Sequence, residues 1–299
     1  MSIPLVRLVH GWSWPDLRQT PGGSGLWDGI QFTNDPLVTD CDYVIVQTSP
    51  GKPRQAFRVP PDNVWYVAME PPNEDHYHDA TGKDYARRTF MQVAKEASAT
   101  RVYTQVGFPW HVNKSYDELT AMDWRACPRV DKPSWITSNK HMWQGHRDRL
   151  RFLDGIRKSF DFDLFGRGFT EIEHKEEQLF NRKYTIVVEN FANPVYFTEK
   201  LTDAFLAGTL PFYWGCTEIE KYFPAESMIR IDISDPAEAV TSMQRAIRDH
   251  EWEKRQAAIE VARDLVLNRY QFFPLMASHI HADRNSRGAM PRQRKRIDI

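Results

Sequence analysis

Short β-branched and aromatic runs alternate with stretches of helical apolar spacing along this 299-residue chain, and that alternation admits few folds. Leu5–Val9, Tyr43–Gln47, Val64–Met69 and Arg101–Val106 read as strands in the first half. Between the last two, Tyr85–Ala97 has helical spacing, with Tyr85, Phe90, Val93, Ala94 and Ala97 apolar. Trp135–Ser138, Phe162–Phe165, Thr185–Val188, Leu210–Tyr213 and Ile229–Ile231 read as strands in the second half, with helices over 146–158, 199–207 and 236–267. Such alternation implies parallel sheets with right-handed crossovers. The length suits two domains better than one core. The expected fold is α/β: Rossmann-like domains at 1–130 and 131–280 facing across a cleft, then a tail at 281–299. The hinge is expected at the Pro-punctuated stretch Cys127–Pro133. The tail, basic and poor in apolar residues, is expected to be loosely ordered.

Composition removes several function classes. Thirty-nine basic residues against forty acidic ones give a net charge of −1, so no global field favours nucleic acid. Three cysteines, Cys41, Cys127 and Cys216, are far apart with no Cys-x-x-Cys pair. Neither a disulfide framework nor a zinc ribbon is supported, and buried free thiols in a reducing compartment are expected. The first residues lack a signal-peptide pattern, and no apolar run approaches the ~18–20 residues of a membrane span. The expected location is the cytoplasm.

The segment VVENFANPVYFTEKLTDAFLAGTLPFYWG, residues 187–215, concentrates the chemistry. A strand ends in Glu189-Asn190, Thr198 is placed to cap the next helix, and Gly208 sits where a helix ends. Leu201, Ala204 and Phe205 give that helix its buried face. Lys200 falls in the first turn, where free N–H groups already favour anions and a cation is poor helix design. A phosphate held between the ammonium and the helix start would explain it, with Glu199 accepting from ribose hydroxyls. A solvated, charged first turn is the plainer alternative.

Glu-Asn, five residues, Tyr-x-Thr-Glu-Lys-Leu, then Ala-Gly-Thr-x-Pro and a closing Trp-Gly resembles the donor-binding signature of the α1,3/α1,4-fucosyltransferases, glycosyltransferase family 10. Upstream, WITSNKHMWQGHRDRLRFLDGI (135–156) resembles the family segment in which a strand ends in Ser138-Asn139 and a helix carries the donor-phosphate arginine. By the pattern Arg-x-x-Phe-x-Asp that arginine is Arg149; Arg147 and Arg151 read as an exposed basic face. VWYVAMEPPNEDHYHD (64–79) resembles the first-domain strand ending in Glu-Ser-Pro, here Glu70-Pro71-Pro72, a departure at the middle position. The resemblance spans about residues 64–225 in blocks; residues 1–60 carry little of it.

The resemblance implies a GT-B fold and transfer of fucose from GDP-fucose to a glycan hydroxyl with inversion. Glu70 is the expected base, with Glu74 and Asp75 as alternatives. Arg149 and Lys200 would stabilise the leaving diphosphate. Ser138, Asn139, Glu189, Asn190, Tyr196, Thr198 and Glu199 would line the donor pocket, and no metal or other cofactor is expected. Partners would be GDP-fucose and a glycan acceptor, lipopolysaccharide-type among the candidates. Similar bacterial enzymes end in basic segments that approach anionic membrane, so Arg284, Arg287, Arg292, Arg294, Lys295 and Arg296 offer a peripheral contact at the inner membrane. A solvated tail is the plainer reading. The alternatives in function are a transferase using another GDP-sugar and a GDP-sugar- or glycan-binding protein without turnover.

Other motifs read as structural. Asp161-Phe162-Asp163 has Asp-x-Asp form but opens a strand, the wrong end for a nucleotide. Asp75-His76-Tyr77-His78-Asp79 lacks a further ligand set and reads as an acceptor-side loop. Gly22-Gly23-Ser24-Gly25 lacks the dinucleotide order and reads as a loop, with Trp12, Trp14 and Trp27 as sugar-stacking faces or core.

Overall fold

A computed structural model describes residues 3–11, 15–49, 51, 54–71, 83–287 and 293–299. Trp12, Trp14, Glu74, Asp75 and the loop 76–79 lie outside the described residues, as does Arg292. The chain divides into two units: residues 1–109, 114–120 and 270–299, and residues 110–113 and 121–269.

Among the described residues, the amino-terminal part of the first unit carries eight strands: β1 (Leu5–His10), β2 (Leu26–Trp27), β3 (Ile30–Thr33), β4 (Tyr43–Gln47), β5 (Ala56–Val59), β6 (Val64–Val67), β7 (Arg88–Met91) and β8 (Arg101–Tyr103). Seven of them form a sheet in the order β2-β3-β1-β4-β6-β7-β8, parallel except for the β2–β3 pair. Alternation along the strands separates its faces. Val6, Leu8, Tyr43, Ile45, Trp65 and Phe90 pack with Phe272, Phe273, Met276 and Ile280 of the helix Phe272–Arg287. Val44, Val46, Tyr66 and Met91 pack with Phe57, Val59 and Ile299.

The second unit carries β9 (Ser134–Ile136), α1 (Gln144–Ile156), β10 (Asp163–Phe165), β11 (Tyr184–Val188), α2 (Glu199–Leu206), β12 (Leu210–Trp214), β13 (Ile229–Arg230), α3 (Pro236–Arg248) and α4 (Gln256–Leu265). Its sheet has the order β10-β9-β11-β12-β13, with every pair parallel. The chain leaves β9 for β10 on one side and returns to lay β11 on the other. The switch point therefore falls between the carboxyl ends of β9 and β11, where ligands bind in open α/β sheets.

Four expectations change. Tyr85–Ala97 is no helix: it contains β7 and a 3-10 turn at Ala94–Glu96. A short buried run, here residues 89–93, satisfies helical and strand spacing alike, and pairing with β6 and β8 decides it. The stretch Cys127–Pro133 lies within the second unit rather than at the division between the two, and there Val130 N–H donates to the Asn181 carbonyl at 3.0 Å. Arg129 there ties Trp124, Arg182 and Ala207 carbonyls together.

The expected division at 131–280 also differs from the observed one, because the helix Phe272–Arg287 buries its aromatic end on the first unit's sheet. The tail likewise ends in order. Lys295–Asp298 pairs antiparallel with β5, Arg294 donates to Asp42 at 2.7 Å and to Asp40, and Ile299 is buried. Cys41 and Cys216 are buried, whereas Cys127 is half-buried. Among the described residues, no helix is long and apolar enough to cross a membrane.

Candidate active site

The second unit's switch point is spanned by one side chain. Arg149, on α1, is 3% exposed. Its Nη1 donates to Asn190 Oδ1 at 2.6 Å, and its Nη2 donates to the Ser138 carbonyl at 3.2 Å and to Ser138 Oγ at 3.3 Å. It thus joins the segments following β9 and β11. The reach depends on Gly145 in the first turn of α1: a Cβ there would overlap the Asn190 carbonyl oxygen. Burial lowers the Arg149 pKa, while Glu189 and Tyr196 nearby work to restore it; an arginine stays charged under such pressure.

Beyond β11, the fully buried Glu189 closes a loop back onto the start of α2. Its Oε1 accepts from Thr198 N–H and its Oε2 from the Thr198 hydroxyl, both at 2.8 Å. Thr198 caps α2 by accepting from Lys200 N–H at 3.3 Å. The Lys200 ammonium donates to Thr198 Oγ1 at 3.1 Å and lies 3.4 Å from carboxylate oxygens of both Glu189 and Glu199. Two carboxylates thus stabilise the first-turn lysine, so its presence does not by itself require a bound phosphate.

Burial pushes the Glu189 carboxyl up, against the pull of Lys200. Burial acts the same way on Glu199, yet Lys200, His111 and Lys175 hold that carboxyl well below its ordinary range. Lys200 is pushed down by burial but ends raised, because Glu199 and Glu189 favour its charge. At the other end of α2, Gly208 takes a left-handed φ of 72° and its N–H donates to the Phe205 carbonyl, which ends the helix as its position implied.

Ser138, Arg149 and Asn190 thus form one hydrogen-bonded group and Glu189, Thr198, Glu199 and Lys200 another, neighbours through Glu189-Asn190 and the electrostatic pull of Glu189 on Arg149. Tyr196 is buried at 2% exposure, edge-on to Phe191 at 6.0 Å. Asn139 stands apart: it is exposed, with its side chain against Gly168. Glu70 belongs to the first unit, half-buried beyond the carboxyl end of β6. Arg147 is exposed and holds its own loop, donating to the Met142 carbonyl at 2.8 Å. Asp161 and Asp163 share Lys132 at 2.9 and 3.0 Å, and Asp163 also meets Arg182 at 2.8 Å, a structural role. Among the described residues no group of three or more His, Cys, Asp or Glu side chains is placed to hold a metal ion.

Sequence reasoning passed over two features. Asp203, one turn along α2 from Glu199 and 1% exposed, accepts from His111 N–H and from Lys175 Nζ, both at 2.9 Å. Its i, i+4 spacing from Glu199 was the available signal. His146 is buried one turn before Arg149 on α1, and only its i, i+3 spacing marks it.

Residues 128–255, which contain the whole cluster, match the family model described as glycosyltransferase family 10 (fucosyltransferase) C-term. This segment belongs to glycosyltransferase family 10. The chain is 31% identical over 110 residues to human 4-galactosyl-N-acetylglucosaminide 3-alpha-L-fucosyltransferase 9, a match covering 35% of this chain and 30% of that protein. It is 23% identical over 240 residues to mouse alpha-(1,3)-fucosyltransferase 4, covering 76% of this chain and 51% of the relative. The matches therefore span 30% and 51% of these relatives' lengths. A crystal structure of an α1,3-fucosyltransferase with GDP-fucose superposes with a TM-score of 0.52 at 14% identity, covering 97% of this chain and 92% of that one. At that identity the likeness establishes the fold, which is GT-B.

Proposed function

We propose that the protein is an inverting fucosyltransferase that moves fucose from GDP-fucose to a hydroxyl of a glycan acceptor. One observation carries the reading: Arg149 spans the family-10 segment's topological switch point, with Lys200 and the start of α2 in the same cluster. That combination suits a nucleoside diphosphate. The acceptor oxygen forms its bond to the anomeric carbon as the bond to the β-phosphate oxygen breaks. Arg149 and Lys200 stabilise the charge that leaves with GDP, and Glu199 accepts from the ribose hydroxyls. Ser138, Asn190 and Glu189 hold Arg149 and Lys200 in place, Thr198 starts the anion-binding helix, and Tyr196 lines the pocket. Asn139 keeps a more distant donor-side role. Glu70, in the unit assigned to the acceptor, takes the hydroxyl proton.

The two cations do the work that a divalent ion does in other transferases, so turnover is expected to survive EDTA. The cytoplasm is the proposed location. The ordering of residues 294–299 favours a structural role for the tail's end over a membrane contact. The test is GDP release from GDP-fucose, with a panel of glycan acceptors including lipopolysaccharide-type ones, for wild type and Glu70→Gln. Acceptor-dependent release that resists EDTA and is lost in the variant supports the reading. Tight GDP-fucose binding with no transfer to any acceptor would make the chain a binding protein. A preference for another GDP-sugar would change the donor.

A further inference from the structure

His146 lies in the first turn of α1, one turn before Arg149, and is 3% exposed. Its ring stacks on Trp143, with centroids 4.7 Å apart and planes at 25°. That contact accounts for the ring faces but leaves the nitrogens to be explained. Nδ1 is buried with no hydrogen-bond partner, as is Nε of Arg149. An unmade hydrogen bond on a buried polar atom is costly, so such atoms mark places completed by something else. Trp143, at the N-cap of α1, supplies no side-chain cap, and the first-turn N–H groups of a helix have no intrahelical partner. Burial together with Arg149, Lys140, Lys200 and Arg147 brings the imidazole pKa down to about 4. A neutral imidazole can donate here without adding a further cation to the group. Its tautomer follows whatever partner arrives.

We infer that His146 is a further residue of the nucleotide site, with Nδ1–H donating to a phosphate oxygen of the bound nucleoside diphosphate beside Arg149. The assignment rests on the donor reading given above. Within it, His146 supplies a neutral donor to an oxygen that the guanidinium, already engaged by Asn190 and Ser138, leaves open. The competing role is a purely apolar platform for Trp143.

Calorimetric titration of GDP and of inorganic pyrophosphate into wild type, His146→Phe and His146→Asn separates the two. Phe keeps the stacked ring and loses the donor; Asn keeps a donor near the Nδ1 position and loses the ring. The expected result is about ten- to a hundredfold weaker binding of both ligands to His146→Phe, the worth of a hydrogen bond to a charged group. Its melting temperature should be unchanged, and His146→Asn should stay near wild type. If Phe proves unable to pack, the Asn variant alone decides, because a platform role predicts loss in Asn as well. GDP binding to His146→Phe as tight as wild type, or loss toward GDP with none toward pyrophosphate, overturns the assignment. Failure of wild type to bind GDP overturns the donor reading instead.

Discussion

The carboxylate of Glu189 sits 3.4 Å from the ammonium of Lys200 and has no exposed surface. It also holds both the N–H and the hydroxyl of Thr198. One acid therefore fixes the loop after β11, the cap of α2 and the lysine proposed to meet phosphate. Glu189→Gln keeps the shape but leaves Lys200 with one carboxylate. Breaking such a buried pair costs about 3–5 kcal/mol when a partner is removed outright, and the amide should cost less. The variant is expected to lose about 2 kcal/mol of stability by urea denaturation and to bind GDP more weakly. Unchanged stability would mean that the pair contributes nothing.

Gly145 sets the approach of α1 to the β11 loop. In Gly145→Ala the methyl group would overlap the Asn190 carbonyl oxygen, so the helix must retreat. Overpacking of this kind costs about 1–3 kcal/mol. The Arg149–Asn190 hydrogen bond should lengthen, and GDP affinity should fall further than stability alone accounts for. A variant with wild-type denaturation and affinity would show that the contact is not tight.

Three histidines, His111, His146 and His279, have their pKa lowered first by burial and are expected to make the fold acid-sensitive. Burial first, then neighbouring cations, bring His146 and His279 to about 4 from the ordinary 6.5. The unfolded chain binds these protons first, so their stabilising effect is full above pH 6.5 and is lost as pH falls from 6.5 to 4. For His279 a complete shift of that size is worth on the order of 3 kcal/mol. Urea midpoints measured across pH 4 to 7 should decline through that window, and less steeply in a His279→Phe variant. A flat profile would contradict the burial assigned to both rings.

The chain's last residues are proposed to be structural. Removing residues 294–299 deletes the strand against β5 and the Arg294 contacts, and uncovers Phe57 and Val59. Stability should fall by about 2–4 kcal/mol, comparable to emptying one large buried side chain. Binding to anionic vesicles should not change. The opposite pattern, intact stability with lost vesicle binding, would restore the membrane reading.

Local chemistry carried most of what was legible in the sequence. Thr198 and Gly208 bracket α2 within a residue of its observed ends because a cap and a left-handed terminator act over a few bonds. Arg149 was found through a spaced motif, and its geometry follows from one helix turn of register with Gly145. What escaped depended on distant partners. Phe90 and Met91 entered a strand because β6 and β8 flank them, and a charged KRID end became a strand because β5 offered an unpaired edge. Asn139 sits next to Ser138 in sequence, but its side chain lies against Gly168. His146 carried no motif at all; only its burial beside Arg149 distinguishes it.

The central claim is that the cluster around Arg149 and Lys200 holds a nucleoside diphosphate. The most direct measurement is calorimetric titration of GDP into wild type, Arg149→Lys and Lys200→Met at one ionic strength, with guanosine as the uncharged control. Arg149→Lys keeps the charge and loses the planar fork that joins Asn190 and Ser138. The account predicts about tenfold or greater loss for GDP in each variant, with guanosine binding unaffected. GDP binding that is equal in all three proteins would contradict it.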